Sequence, residues 1–141
     1  MRRLLLVGFA MLLVACGGDS ATGPASVTGS YSLRTVNGVS VPAVVFQDAT
    51  EKDEIVSSTI SLAGDNSWTG NLTIRGTDLT SGVVFPVLSL PIGGTYSLNS
   101  GSIKLTDADH QLTFDGTVGG GTLTVGSDIV VGSTTTMVFR K

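Results

Sequence analysis

The stretch Ile55-Val56-Ser57-Ser58-Thr59-Ile60-Ser61-Leu62-Ala63-Gly64-Asp65-Asn66-Ser67-Trp68-Thr69-Gly70-Asn71-Leu72-Thr73-Ile74-Arg75 decides the fold. Its apolar residues recur with period two, the spacing of a strand with one face buried. Val56, Ser58, Ile60 and Leu62 share one face, with Ser57, Thr59 and Ser61 opposite. Gly64-Asp65-Asn66 supplies turn residues, and the alternation then resumes. Trp68, Gly70, Leu72 and Ile74 continue the inward set, while Thr69, Asn71, Thr73 and Arg75 point outward. The spacing predicts an antiparallel hairpin of strands 55–63 and 67–75.

The same grammar extends in both directions. Towards the N-terminus, Tyr31 and Leu33 alternate with Ser30, Ser32 and Arg34, and Asn37-Gly38 marks a hairpin turn because both residues tolerate positive φ. Val39 to Glu54 is the exception. It reads as a short strand or helical turn followed by an acidic loop, placed across one open end of the fold. Towards the C-terminus, Val83 to Leu90 is more continuously apolar and carries Pro86, so it reads as an edge strand or a bulged one. Tyr96 and Leu98, Ile103 and Leu105, Leu112 and Phe114, and Leu123 and Val125 each open or close an alternating run. Asn99-Ser100-Gly101, Thr106 to His110 and Gly119-Gly120-Gly121 turn the chain between them; Gly126-Ser127-Asp128 and Gly132-Ser133 read as further breaks. In Thr135 to Arg140 either Met137 and Phe139 or Val138 faces inward.

Eight to ten short strands with turns at regular spacing predict an all-β fold, a barrel or a sandwich. Hairpin-length connections favour an up-and-down meander, and closure into a barrel removes its two edges. Inward-facing Gly70 and Gly116 suit close approach of neighbouring strands.

Residues 1–15 are of another kind. Arg2 and Arg3 precede Leu4 to Ala15, an unbroken apolar run shorter than the ~20 residues of a spanning helix. The one cysteine of the chain, Cys16, follows directly. Leu13-Val14-Ala15-Cys16 resembles the lipobox of bacterial lipoproteins. The resemblance implies a signal peptide over 1–15, diacylglycerol on the Cys16 thiolate, and a further acyl chain such as palmitate on its amino group. Two or three chains give a stable anchor where one holds marginally. It also implies a lipid-anchored protein of the cell envelope. Gly17, where an aspartate would favour the inner membrane, directs the expectation to the periplasmic face of the outer membrane. Residues 16–26 read as the lipidated cysteine with a small, polar tether reaching roughly 15–20 Å, and 27–141 as the folded domain.

Loss of Arg2 and Arg3 leaves six basic residues against eleven acidic, a formal charge of −5. Nucleic acid and anionic lipid surfaces call for clustered Lys and Arg, so neither is an expected partner.

Over 27–141 the chain resembles the small lipocalin-like lipoproteins of bacteria. The residues carrying this are Gly29-Ser30-Tyr31-Ser32-Leu33 with Val36-Asn37-Gly38 and Val41-Pro42, and Gly94-Thr95-Tyr96-Ser97-Leu98. Gly116-Thr117-Val118, Gly121-Thr122-Leu123 and the ending Met137-Val138-Phe139-Arg140-Lys141 add to it. Tyr31 stands where the lipocalin entrance motif has tryptophan. The resemblance implies a compact antiparallel barrel that binds a small apolar molecule.

Catalytic signals are sparse. His110 is the single histidine and sits in a polar turn, and no Gly-x-Ser-x-Gly elbow accompanies it. Asp107, Asp109 and His110, and Asp48, Glu51, Asp53 and Glu54, lack the spacing and central glycine of a calcium loop. They read as turn and solvated loop, with no metal or cofactor expected. The resulting expectation is a non-enzymatic, lipid-anchored barrel binding a small apolar ligand through Tyr31, Trp68, Tyr96 and Phe114. The alternative is a structural or protein-interaction module, an assembly factor or inhibitor, using Val39–Glu54 or the edge near Val83–Leu90.

Overall fold

The computed structural model describes residues 26–130 and 133–141. The expected signal peptide over 1–15, Cys16 and the expected tether as far as residue 25 lie outside the described residues. The described chain forms ten strands: β1 (Gly29–Val36), β2 (Val39–Ser40), β3 (Ala43–Gln47), β4 (Glu51–Leu62), β5 (Ser67–Asp78), β6 (Leu88–Asn99), β7 (Ser102–Asp107), β8 (Leu112–Gly119), β9 (Thr122–Val130) and β10 (Ser133–Arg140).

All pairings between named strands are antiparallel, in the order β2-β1-β10-β9-β8-β7-β6-β5-β4-β3. A further ladder between β1 and β4, from Gly29↔Leu62 to Ser32↔Thr59, closes the ring. Eight strands therefore make a closed, lipocalin-like up-and-down barrel, and β2 and β3 are additions to it. The closed barrel, rather than a sandwich, is what the run of short hairpins calls for. Asn37 and Gly38 both have positive φ at the β1–β2 turn (50° and 82°), as a two-residue hairpin requires.

One apolar core fills the barrel. Tyr31, Leu33, Ile60, Leu62, Trp68, Leu72, Tyr96, Ile103, Leu105, Phe114, Leu123, Val125, Met137 and Phe139 are buried members of it. The inward pair in β10 is thus Met137 and Phe139. Outward positions on the barrel wall carry Thr59, Thr69, Ser97, Lys104, Thr113, Asp115 and Thr117. That is a water-facing exterior, unlike the apolar outer band of a membrane-spanning barrel.

Both inward glycines sit where neighbouring backbone leaves no space. A Cβ on Gly70 would overlap the Thr59 carbonyl oxygen, and one on Gly116 would overlap that of Thr124.

Four local expectations are corrected. The central hairpin is longer than 55–75 and runs from Glu51 to Asp78. Its register shifts between Ile55 and Ser57, so Ile55 is buried and Val56 is displaced from the inward set. A bulge inserts one residue and reverses the parity beyond it. The acidic segment 48–54 is no loop: a tight turn at 48–50 leads straight into β4. Gly126-Ser127-Asp128 does not break the chain either. It lies within β9, with Gly126 paired to Thr136 and Ser127 to Thr135.

Candidate interaction surface

The four aromatic residues expected to meet a ligand lie in the barrel core. The Trp68 indole N–H donates to the Thr106 carbonyl at 3.3 Å, and its ring meets Phe114 edge-on, centroids 5.9 Å apart at 85°. The Tyr31 hydroxyl donates to the Val27 carbonyl at 2.6 Å and the Tyr96 hydroxyl to the Ala63 carbonyl at 2.7 Å. Burial, with neighbouring Tyr96 adding to it, pushes the Tyr31 hydroxyl above its ordinary pKa. Among the described residues no buried side-chain nitrogen or oxygen lacks a hydrogen-bond partner. These aromatics are therefore held by packing and by main-chain carbonyls, leaving none of their polar groups to recruit a ligand.

His110 sits in the β7–β8 turn beside buried Asp107. The carboxylate accepts from the amides of Asp109 and His110 at 3.0 Å each and from the Gly93 amide at 3.2 Å. It also meets the His110 ring at Nδ1, 2.9 Å away. Burial alone would raise the Asp107 pKa. The His110 amide and ring, the Gly93 amide and the histidine's charge together outweigh burial and hold it below the ordinary value. This cluster ties the turn to β6, a structural task.

The carboxylates of 48–54 also have local partners. Asp48 accepts from the amides of Thr50 and Glu51 at 2.7 and 2.8 Å and from the Thr50 hydroxyl at 2.9 Å, which lowers its pKa. Glu54 takes a two-pronged contact from Arg75 at 2.9 and 3.1 Å, with Lys52 3.4 Å away. Among the described residues no group of three His, Cys, Asp or Glu side chains is placed to hold a metal ion.

A different surface emerges where β4 and β5 outrun the barrel. β1 leaves β4 after Thr59, and β3 takes its place along residues 52–55. From Ser57 to Glu51 this extension adds about 20 Å at the usual strand rise. On its far side, beyond the start of β6, Val84 bridges Thr77. The offset between that bridge and the pair Ile74↔Leu88 is one residue and spans Pro86. The sequence expectation of a bulged edge segment holds. β7 pairs with β6 only from Thr95 onward, so Leu88 to Gly94 is bonded to β5 alone, and Pro91 falls where a missing N–H is tolerated.

The face of the extension that continues the barrel interior begins with a covered layer, Ala43, Ile55 and Ile74. Beyond it a row crosses the strands: Phe46 opposite Asp53, Asp53 opposite Gly76, and Phe85, whose amide donates to the Gly76 carbonyl at 3.0 Å. The Phe85 ring lies 3.2 Å from where a Gly76 Cβ would stand, and the Asp53 carboxylate 3.3 Å. Phe46 is 40% exposed and Phe85 48%. Val83, Val84, Val87 and Leu88, neighbours of Phe85 along the chain, are exposed by more than half. Thr50, Glu51, Asp78, Thr80 and Phe85 line a hollow at the tip.

Two copies of Val-Val-Phe, at 44–46 and 83–85, supply both rings of this row. That repetition, outside any alternating run, is the sequence signal for the surface, and its two copies fall in the 39–54 segment and in Val83–Leu90. Compared with family models, with curated proteins and with solved structures, the chain matches none of them.

Proposed function

We propose that the protein is a lipid-anchored, non-enzymatic module of the cell envelope that docks a protein partner on the extension of β3, β4, β5 and the segment 83–88. The carrying observation is a contrast. The barrel interior is occupied by large side chains with satisfied polar groups, while Phe46, Val83, Phe85 and Leu88 stand in solvent on a neighbouring face. Exposed contiguous apolar surface of this kind marks interaction sites. A small apolar ligand inside the barrel would have to displace Trp68, Tyr31 or Phe114, each no more than 2% exposed.

In this reading the chain start sets which end of the barrel faces the lipid. Ser26 precedes β1, whose first paired residue, Gly29, lies opposite Leu62 at the turn end of the β4–β5 hairpin. The Lys141 ammonium donates to the Ser26 and Thr28 carbonyls at 2.8 and 2.7 Å and fixes this exit. The extension tip is at the other end of the hairpin, about 36 Å along β4. A tether to Cys16 thus holds the turn end near lipid and presents the apolar face away from it.

The test combines two readouts in cells. Incorporation of a palmitate analogue is expected for the natural chain and lost in Cys16→Ser. A photo-crosslinking residue at position 85 is expected to trap a discrete protein adduct that the same residue at Lys104, on the barrel wall, does not. Equal crosslinking at both positions, together with a stoichiometric apolar molecule retained in native mass spectrometry, would restore the small-ligand reading.

A further inference from the structure

We infer that the partner presents a Lys or Arg side chain flanked by apolar residues, and that this cation seats over Asp53 between Phe46 and Phe85. The inference rests on the docking reading above and concerns the chemistry of what docks. It follows from how the extension divides its charges between two faces. Lys52, Glu54 and Arg75 alternate with the inner row and pair with one another on the outer face. The inner face holds Glu51, Asp53 and Asp78. Glu51 stands directly opposite Asp78, and Asp53 is two residues along the same strand. Among the described residues none of these three has a cation within ion-pair distance. Asp78 caps its own turn, where the Ser81 hydroxyl, the Ser81 amide and the Thr80 amide lower its pKa.

Like charges directly across a strand pair are destabilising. Here three are gathered on the one face of the extension that is also apolar, while both neighbouring cations are turned away. An arriving ammonium or guanidinium would relieve that repulsion. Its aliphatic stem would lie on Phe85 and Phe46, and an aromatic face adds its own attraction for a cation. Gly76 lets the Phe85 ring and the Asp53 carboxylate come together over the strand, since a side chain there would press on both. The same charges disfavour the other occupants. A second copy would bring the same three carboxylates against these, and an anionic lipid surface would be repelled.

The test uses the full-length chain in nanodiscs of neutral lipid and three fluorescent ten-residue peptides: alternating Val–Lys, alternating Val–Glu and alternating Gly–Lys. Binding is read by anisotropy and the site by hydrogen exchange. The Val–Lys peptide is expected to bind at least tenfold tighter than either control and to slow exchange in β3 and in residues 76–85. Asp53→Asn and Glu51→Gln, which keep side-chain volume, are each expected to weaken it severalfold, and Phe85→Ser to abolish the preference over Gly–Lys. Equal binding of Val–Lys and Val–Glu, or protection confined to the barrel wall, overturns the inference. If position 85 still crosslinks a protein in cells when the peptides show no preference, the partner chemistry is wrong and the docking surface stands. If neither is seen, both fall.

Discussion

Trp68 separates a packed barrel from a ligand-binding one, and its removal gives a number. The side chain is 1% exposed and meets Phe114 edge-on at 5.9 Å. An indole buries roughly 150–250 Å², which at about 25 cal/mol per Å² gives around 4–6 kcal/mol of transfer free energy. Measured losses for large aromatic truncations run at about 3–5 kcal/mol. Trp68→Leu keeps part of the volume and is expected to cost about 2–3 kcal/mol, with Phe114→Leu similar or slightly less. The edge-to-face contact itself contributes about 0.5–1.5 kcal/mol, so the double variant should be less destabilised than the sum of the singles by that amount. The assay is urea unfolding followed by circular dichroism for the four proteins of the cycle. The natural chain has a single tryptophan, so its emission reports this site alone: blue-shifted when folded, red-shifted on unfolding. A cost within ~0.5 kcal/mol for Trp68→Leu, the usual range for a surface change, would refute the packing argument. So would a folded-state emission typical of indole in water.

Two further outcomes test the scaffold. Gly116→Ala should destabilise by about 1–3 kcal/mol, because its Cβ meets main-chain atoms of β9, Val125 Cα at 2.8 Å among them, that cannot swing aside. Gly119→Ala on the same strand, with nothing within 4 Å, should stay within ~0.5 kcal/mol, and equal losses in the two denaturation curves would contradict the close-approach reading. Asp107→Asn should lower the urea midpoint at pH 7 and flatten its acid dependence. The Asp107 pKa is depressed in the folded protein, so its stabilisation is present above the ordinary carboxylate pKa of ~3.9 and is lost as pH falls through the folded value. An unchanged midpoint at pH 7 with an unchanged acid slope would show that the His110 and Gly93 contacts contribute nothing.

The barrel was legible because each of its strands has one face in water and one in the core, and period two records that asymmetry directly. The hairpin around Gly64-Asp65-Asn66, the Asn37-Gly38 turn and the inward glycines all follow from it. Parity at Ile55 and Val56 did not, since both residues are apolar and either could face inward. The bulge between Ile55 and Ser57 decides the matter, and it is a property of the β4–β5 register. Gly126-Ser127-Asp128 has the composition of a turn. In β9 Gly126 and Ser127 pair with Thr136 and Thr135 of β10, and Ser127 and Thr135, polar but small, are buried side by side.

The extension fails to alternate for a physical reason: past the covered layer of Ala43, Ile55 and Ile74, neither face of β4 and β5 is fully buried, so the pressure that writes the period is absent. Charges there sort by cross-strand pairing instead, Glu54 with Arg75 on one side and Glu51 with Asp78 on the other, and that sorting becomes visible only with the register. Val44-Val45-Phe46 and Val83-Val84-Phe85 are the residue of the same logic. In a chain whose apolar side chains otherwise alternate into one core, an apolar run without alternation has no core position for every member. Phe46 and Phe85 are left outside, and the register through Asp53 and Gly76 sets them in a single row. The departure from the pattern that identified the fold is therefore the observation that locates the surface.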